Sequence, residues 1–252
     1  MTMFIASGGF LWGAYFSDFV TPKNASLVYA VLLFLVILSL SLLYKFSLKS
    51  AEEEVVPSDR VSLKNILQYA TESLLNLVNS LIPHHGERYL PLIASIFLYL
   101  FFANLLGLIP GFAAPSMSFS GNLAVGLIIF LYYNYVGARR AGLKNYILHF
   151  FGPSLGPSWP MIALRIFFLA PLIFGIEMVS HCARPLTLSL RLLANMVGDH
   201  LVLGTFSELI PLVVPVAFLV LGLFVSFVQA FVFALLSGVY IGLAVETEHS
   251  TR

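Results

Sequence analysis

The chain has 252 residues, of which 59% are apolar and only 10% charged, with a net charge of +1. A soluble globular domain is roughly a quarter charged, so this composition points to a polytopic helical membrane protein, and the small net charge excludes the basic field that nucleic acid requires. Cys182 is the only cysteine, which rules out an intrachain disulfide and any multi-cysteine metal site.

Residues 1–24 lack the basic start and small-residue cleavage pattern of a signal peptide, and they carry Asp18 and Lys23. They read as an outer N-terminal segment of the mature chain. Residues 25–44 are uncharged and match the twenty or so residues of a spanning helix. Lys45 and Lys49 follow, which puts this end in the cytoplasm and the N-terminus outside.

From Pro57 the pattern changes. Leu63, Ile66, Leu67, Ala70, Leu74, Leu77, Val78 and Leu81 recur at helical spacing against Asn65, Gln68, Glu72, Asn76 and Asn79, so 57–82 reads as an amphipathic helix. It suits either the cytoplasmic interface or a partner subunit. His84 and His85 in the following break read as a solvated pair. Residues 91–109 form the second span, stopped by Pro110 and Gly111, with Asn104 as its one strongly polar side chain. Residues 117–136 form the third, its end marked by Tyr132, Tyr133 and Tyr135, after which Arg139, Arg140 and Lys144 return the chain to the cytoplasm. Gly and Pro in 149–160 make an irregular or re-entrant connection.

The tracts 161–204 and 209–245 are each nearly twice the length of a perpendicular crossing. Each is either a hairpin of two short helices or one long, steeply tilted helix. Pro171 and Pro185 are kink points in the first, and Pro211 and Pro215 in the second. No internal repeat and no linker divides the chain, so 1–252 reads as a single membrane domain.

Glu177, Arg184, Arg191 and Gly198 recur every seven residues in the first long tract, a spacing that drifts only about 20° per heptad on a straight helix. Asn195 lies at i+4 from Arg191, and Asp199 and His200 extend the line outward. A charge at the bilayer centre costs on the order of 3 kcal/mol on insertion scales, and Arg191 has no acid at i±3 or i±4 to neutralise it. The bland reading is a snorkelling or salt-bridged strut. The uncompensated stripe favours the lining of an ion or substrate path. Gly222, Ser226, Gln229 and Ser237 give the second long tract a complementary small and polar face. No serine-protease motif, phosphate loop or metal-ligand spacing appears, and nothing calls for a cofactor.

With these residues in view, ARPLTLSLRLLANMVGDH at 183–200, followed by SFVQAFVFALLSGVYIGLAVE at 226–246, resembles the a subunit of F-type ATP synthases. FFANLLGLIPGF at 101–112 is similar to the family's earlier span. The resemblance covers about residues 60–248. It implies an all-α fold of five membrane helices plus an interfacial amphipathic one, the last two long and tilted as a hairpin. It implies a proton-conducting stator subunit, not an enzyme by itself, working beside a rotor ring of c subunits, peripheral-stalk b subunits and the rest of the synthase. Arg191 matches the family's essential arginine, Asn195 and Gln229 its polar neighbours, and Glu177 its cytoplasmic half-channel. His200 stands at a position acidic in many relatives. Gly222 departs from the His or Glu found there in several branches and resembles chloroplast-type relatives, which gives Asp199 more of the outer role. Histidine at Gly222 is expected to compensate in part for loss of Asp199. The rival reading is a free-standing proton channel or secondary transporter, which would be expected to show repeated halves. The expected location is a bacterial inner membrane, with an organelle membrane as the alternative.

Overall fold

The computed structural model describes residues 24–47, 63–82, 86–109, 112, 114–142, 146, 169–209 and 213–246. Six α-helices account for nearly all of them: α1 (Ala25–Ser47), α2 (Leu63–Leu81), α3 (Leu90–Leu108), α4 (Phe119–Ala141), α5 (Ala170–Leu209) and α6 (Val213–Glu246). Single 3-10 turns, Gly86–Arg88 and Pro115–Met117, precede α3 and α4. The chain is an all-α polytopic membrane protein. Among the described residues four segments are long and apolar enough to cross a bilayer: Leu90–Leu108, Phe119–Arg140, Ala170–Phe206 and Val216–Val245. Helix α1 is apolar over the shorter stretch Ala25–Ser39.

Local chemistry explains the boundaries. Pro91 lies in the first turn of α3, where its missing N–H costs nothing. Ser118 caps α4 by accepting from Gly121 N. Gly142 ends α4 at φ 79°, a backbone region closed to most side chains. The sequence reading stops the third span at 136, yet α4 runs on to Ala141 and takes Arg139 and Arg140 into its last turn. Both cations there complement the helix dipole, and Arg139 Nη1 donates to Tyr135 Oη at 3.0 Å. The question of hairpins against long helices is answered by α5 and α6, 40 and 34 residues without a break. Pro171 sits in the first turn of α5, and Pro185 is carried inside it. At 1.5 Å per residue α5 is about 60 Å long, twice the hydrocarbon thickness. Pro57, His84, His85, Pro110, Gly111, Pro211 and the connection 149–160 lie outside the described residues.

The helices pack with α3 against α6 and α4 against α5, while α5 and α6 also meet each other. The shared core holds Ile93, Leu100, Ile129, Leu192, Phe233 and Ile241. Large apolar residues such as Leu172, Val179, Leu190, Val220 and Phe224 cover the outside, as a lipid or partner-helix solvent demands. Between helices in lipid, close van der Waals fit replaces the hydrophobic drive, and Gly126 supplies it at the α4–α5 crossing. A Cβ there would stand 3.0 Å from Ser189 Oγ and 3.1 Å from the Pro185 carbonyl oxygen. Gly126→Val is therefore expected to destabilise the protein by about 1–3 kcal/mol, the usual cost of overpacking. Thermal inactivation of the detergent-solubilised protein measures it, and an unchanged midpoint would contradict this packing.

Helix α2 is two-faced, as its pattern requires, and its C-terminal end is docked: Val78 and Ile82 are buried against the α3–α6 pair. The bundle thus has two distinguishable ends. One gathers Ile82, Tyr89, the end of α4 and the start of α5. The other gathers Tyr29 and Phe112, whose rings lie 5.5 Å apart, and the Pro115–Met117 turn.

Candidate functional site

The middle of α5 presents Arg191 and Asn195 on an exposed face. None of the described residues ion-pairs or hydrogen-bonds Arg191. Asn195 reaches the other way: its Nδ2 donates to Gln229 Oε1 on α6 at 2.8 Å. Gln229 is only 6% exposed, and Asn104 of α3 and Ser226 of α6 are buried beside it. These four line a crevice of about 10 Å³ that Asp199 also borders. Around a single open arginine, three helices therefore contribute amide and hydroxyl groups. On the same open face, nothing lies within 4 Å of the place a Cβ would take at Gly198.

Toward the end marked by Phe112, Asp199 and His200 border a larger cavity of about 120 Å³ walled by Gly107, Leu108, Phe218 and Leu221. It has room for several waters. His200 Nε2 is buried without a hydrogen-bond partner among the described residues. Gly107 makes that approach possible, since a Cβ on it would lie 3.5 Å from His200 Nε2 and would overlap Met196 Cε. Asp199 borders both the cavity and the crevice. Gly222 carries no titratable group, and the space a side chain would take is filled by Leu108, whose Cδ2 would stand 2.6 Å from an added Cβ. Compensation by histidine at Gly222 is thus blocked unless Leu108 gives way.

At the opposite end, Glu177 Oε1 faces His181 Nε2 at 3.8 Å. His181 Nδ1 shares a 2.9 Å hydrogen bond with Tyr133 Oη of α4. Arg184 lies over the ring of Tyr240 at 4.9 Å and that of Tyr133 at 5.8 Å, a cation–π arrangement between α4 and α6. Beyond α4, Tyr146 Oη donates to Asn134 Oδ1 at 2.7 Å. Burial first, then the fields of Tyr133 and Glu177 against that of Arg184, push its phenol up to about 12. Tyr146 therefore stays neutral near physiological pH and acts as a structural donor.

The heptad line is consequently not one uniform stripe. Arg184 lies on Tyr133 of α4 and Tyr240 of α6, Glu177 faces His181 of its own helix, Arg191 is open, and Asp199 and His200 lie beside Gly107 and Leu108 of α3. Asn195 and Gln229 are brought together as paired polar groups; Glu177 stands apart, about 33 Å along the helix from Asp199 at 1.5 Å per residue. Sequence reasoning singled out Asn104 but not its place beside Gln229; a lone amide in an apolar span was the signal. It left His181 without a role, and Tyr133 read only as an interfacial aromatic. Among the described residues no group of three His, Cys, Asp or Glu converges on a metal position.

Fold and site together define a polytopic membrane protein whose two longest helices bring buried amide and hydroxyl groups together beside Arg191 in an apolar span. The family model for the ATP synthase A chain matches residues 14–242. The chain is 43% identical over 203 residues to ATP synthase subunit a of Bdellovibrio bacteriovorus, covering 81% of this chain and 83% of that protein. It is 37% identical over 224 residues to the Geobacter sulfurreducens subunit a, 89% of each, and 36% identical over 246 residues to that of Geotalea daltonii, 95% and 98%. The chain belongs to the ATP synthase A chain family.

Proposed function

We propose that this protein is the stator a subunit of an F-type ATP synthase, conducting protons through two offset half-channels to and from carboxylates on a rotor ring of c subunits. The observation that carries the reading is the open Arg191, without an ion or hydrogen-bond partner among the described residues, lying between two separate polar clusters at opposite ends of the bundle. Glu177 and Asp199 are 22 residues apart on α5, about 33 Å at 1.5 Å per residue, close to the hydrocarbon thickness of a bilayer. Each cluster therefore suits one aqueous mouth, and Arg191 suits the barrier between them.

A rotor carboxylate arriving from lipid is neutral. Beside Arg191 its ionised form is favoured, because an opposite charge lowers a carboxyl pKa by roughly one to three units. Its proton leaves by the half-channel at Glu177. Moving on, the carboxylate takes a proton delivered through the Asp199 and His200 cavity and returns to lipid. Arg191 holds its proton too firmly to relay one, so the two paths do not short-circuit. Asn195 and Gln229 hold α5 to α6 behind it. Each charge crossing 100 mV yields about 2.3 kcal/mol, so the gradient drives rotation and the protein rectifies it. The peripheral-stalk b subunits and the rest of the synthase are its further partners, and its location is a bacterial inner membrane, a reading supported by the relatives being bacterial proteins. No bond is made or broken on the chain itself.

Purification in mild detergent tests the assembly. Co-isolation with a small-subunit ring and an ATPase head is expected. Recovery of the chain alone, with proton conduction retained, would instead support a free-standing channel.

A further inference from the structure

Resting on the proposed stator role, we infer that His181 is a second proton-carrying group of the Glu177 half-channel, with Tyr133 as the residue that positions its imidazole. Glu177 and His181 are one turn apart on α5, and the Nε2 to Oε1 distance of 3.8 Å is closed by a small rotamer change or by one bridging water. The other ring nitrogen is fixed. In the tautomer in which Nδ1–H donates to Tyr133 Oη across that 2.9 Å contact, the lone pair of the neutral imidazole lies on Nε2, on the side of the carboxylate.

The pair is placed for exchange with water. The Glu177 side chain is 33% exposed and that of His181 12%, so the carboxylate faces outward and the imidazole lies behind it. Among the described residues, charged and titratable groups near His181 include Arg184 on its own helix, Tyr133 on α4, Tyr240 on α6 and Tyr146 beyond α4. Arg184 lies over the rings of Tyr133 and Tyr240, and the ion contact of Glu177 among the described residues is with His181.

The step balances without any co-reactant but water. A hydronium proton from the ring side gives Glu177 its carboxylic acid form. Glu177 then passes that proton to the Nε2 lone pair, directly or through one bridging water, and the imidazolium so formed releases the Nε2 proton to cytoplasmic water while Nδ1–H stays bonded to Tyr133 Oη. The net change is one proton passed along the chain, with each group returned to its starting form. Imidazole is the side chain whose unperturbed titration lies nearest physiological pH, which suits it to proton exchange where a free carboxyl is almost wholly ionised.

Inverted membrane vesicles carrying the whole synthase provide the test, read as ATP-driven proton pumping against the pH of the medium facing Glu177. His181→Gln keeps a hydrogen-bonding partner for Tyr133 but cannot titrate. Pumping is expected to fall roughly tenfold, less than the hundredfold or more that general acid–base groups supply, because water replaces part of the path. The imidazole arm of the profile is expected to vanish. Tyr133→Phe keeps the ring under Arg184 and removes only the hydroxyl, and it is expected to displace the half-point of that arm. Wild-type rate and profile in His181→Gln would overturn the inference. Should that variant fail to assemble, an unchanged profile in Tyr133→Phe would overturn it equally. Arg191→Lys measured in the same vesicles separates the two levels. Coupled synthesis by Arg191→Lys would remove the stator reading itself, whereas its loss beside a wild-type His181→Gln removes only the role of His181.

Discussion

Arg191→Lys is expected to abolish coupled ATP synthesis although it keeps a positive charge. A lysine held against lipid or a partner helix can lose its proton, whereas the guanidinium effectively cannot, so the variant turns a barrier into a relay. The geometry adds a second reason. Arg191 is open on the face of α5 with no described residue as its ion partner, so its planar, multi-donor head is available to a carboxylate brought from outside the chain. Lysine presents a single point charge and loses the fork. Arg191→Ala is expected to go further and to let protons pass between the half-channels without rotation. Vesicles carrying each variant, assayed for passive proton uptake and for ATP synthesis, check both statements. Normal synthesis by the lysine variant would remove the role assigned to the arginine.

Asp199→Asn is expected to impair proton-driven synthesis by about a hundredfold, the lower range of a lost acid–base group, and His200→Gln by much less. Asp199 borders both the large cavity and the crevice at Asn195 and Gln229, so it alone connects the two. His200 borders the cavity but not the crevice, with Nε2 turned toward Gly107. If the ranking reverses, the imidazole of His200 is the main delivery group. Leu108 fixes the companion experiment. Gly222→His meets its side chain, so partial rescue of Asp199→Asn is expected to be stronger when Leu108→Ala is added to make room. Proton pumping across pH by the single variants and the Asp199, His200 double variant decides the matter, and near-wild-type pumping by the double would mean that neither residue lines the path.

Much of this arrangement was legible in the sequence, because the membrane forces strong patterns onto a chain. Apolar length located α3, α4, α5 and α6, and the uncompensated Arg191 with Asn195 at i+4 marked the site. Other features depend on tertiary fit. The Asn195–Gln229 bond joins residues 34 apart, and no local periodicity specifies which face of α6 meets α5. The unbroken course of α5 through Pro185 was ambiguous because a proline inside a helix loses one hydrogen bond yet is tolerated where neighbours pack around it. The heptad line of Glu177, Arg184 and Arg191 suggested one shared face, but helical drift and the aromatic walls of Tyr133 and Tyr240 turn its two ends to different neighbours. Leu108 filling the space at Gly222 is a contact between helices distant in sequence, and no motif encodes it.

The existence of two half-channels opening to opposite sides of the membrane is tested most directly by thiol accessibility. Cys182 is exposed and must first be replaced by serine. Single cysteines at positions 177 and 199, in the assembled complex, are then treated with a membrane-impermeant thiol reagent from one side at a time. Position 177 is expected to react from the cytoplasmic side only and position 199 from the outer side only. Reaction of both from the same side would contradict the offset-channel mechanism.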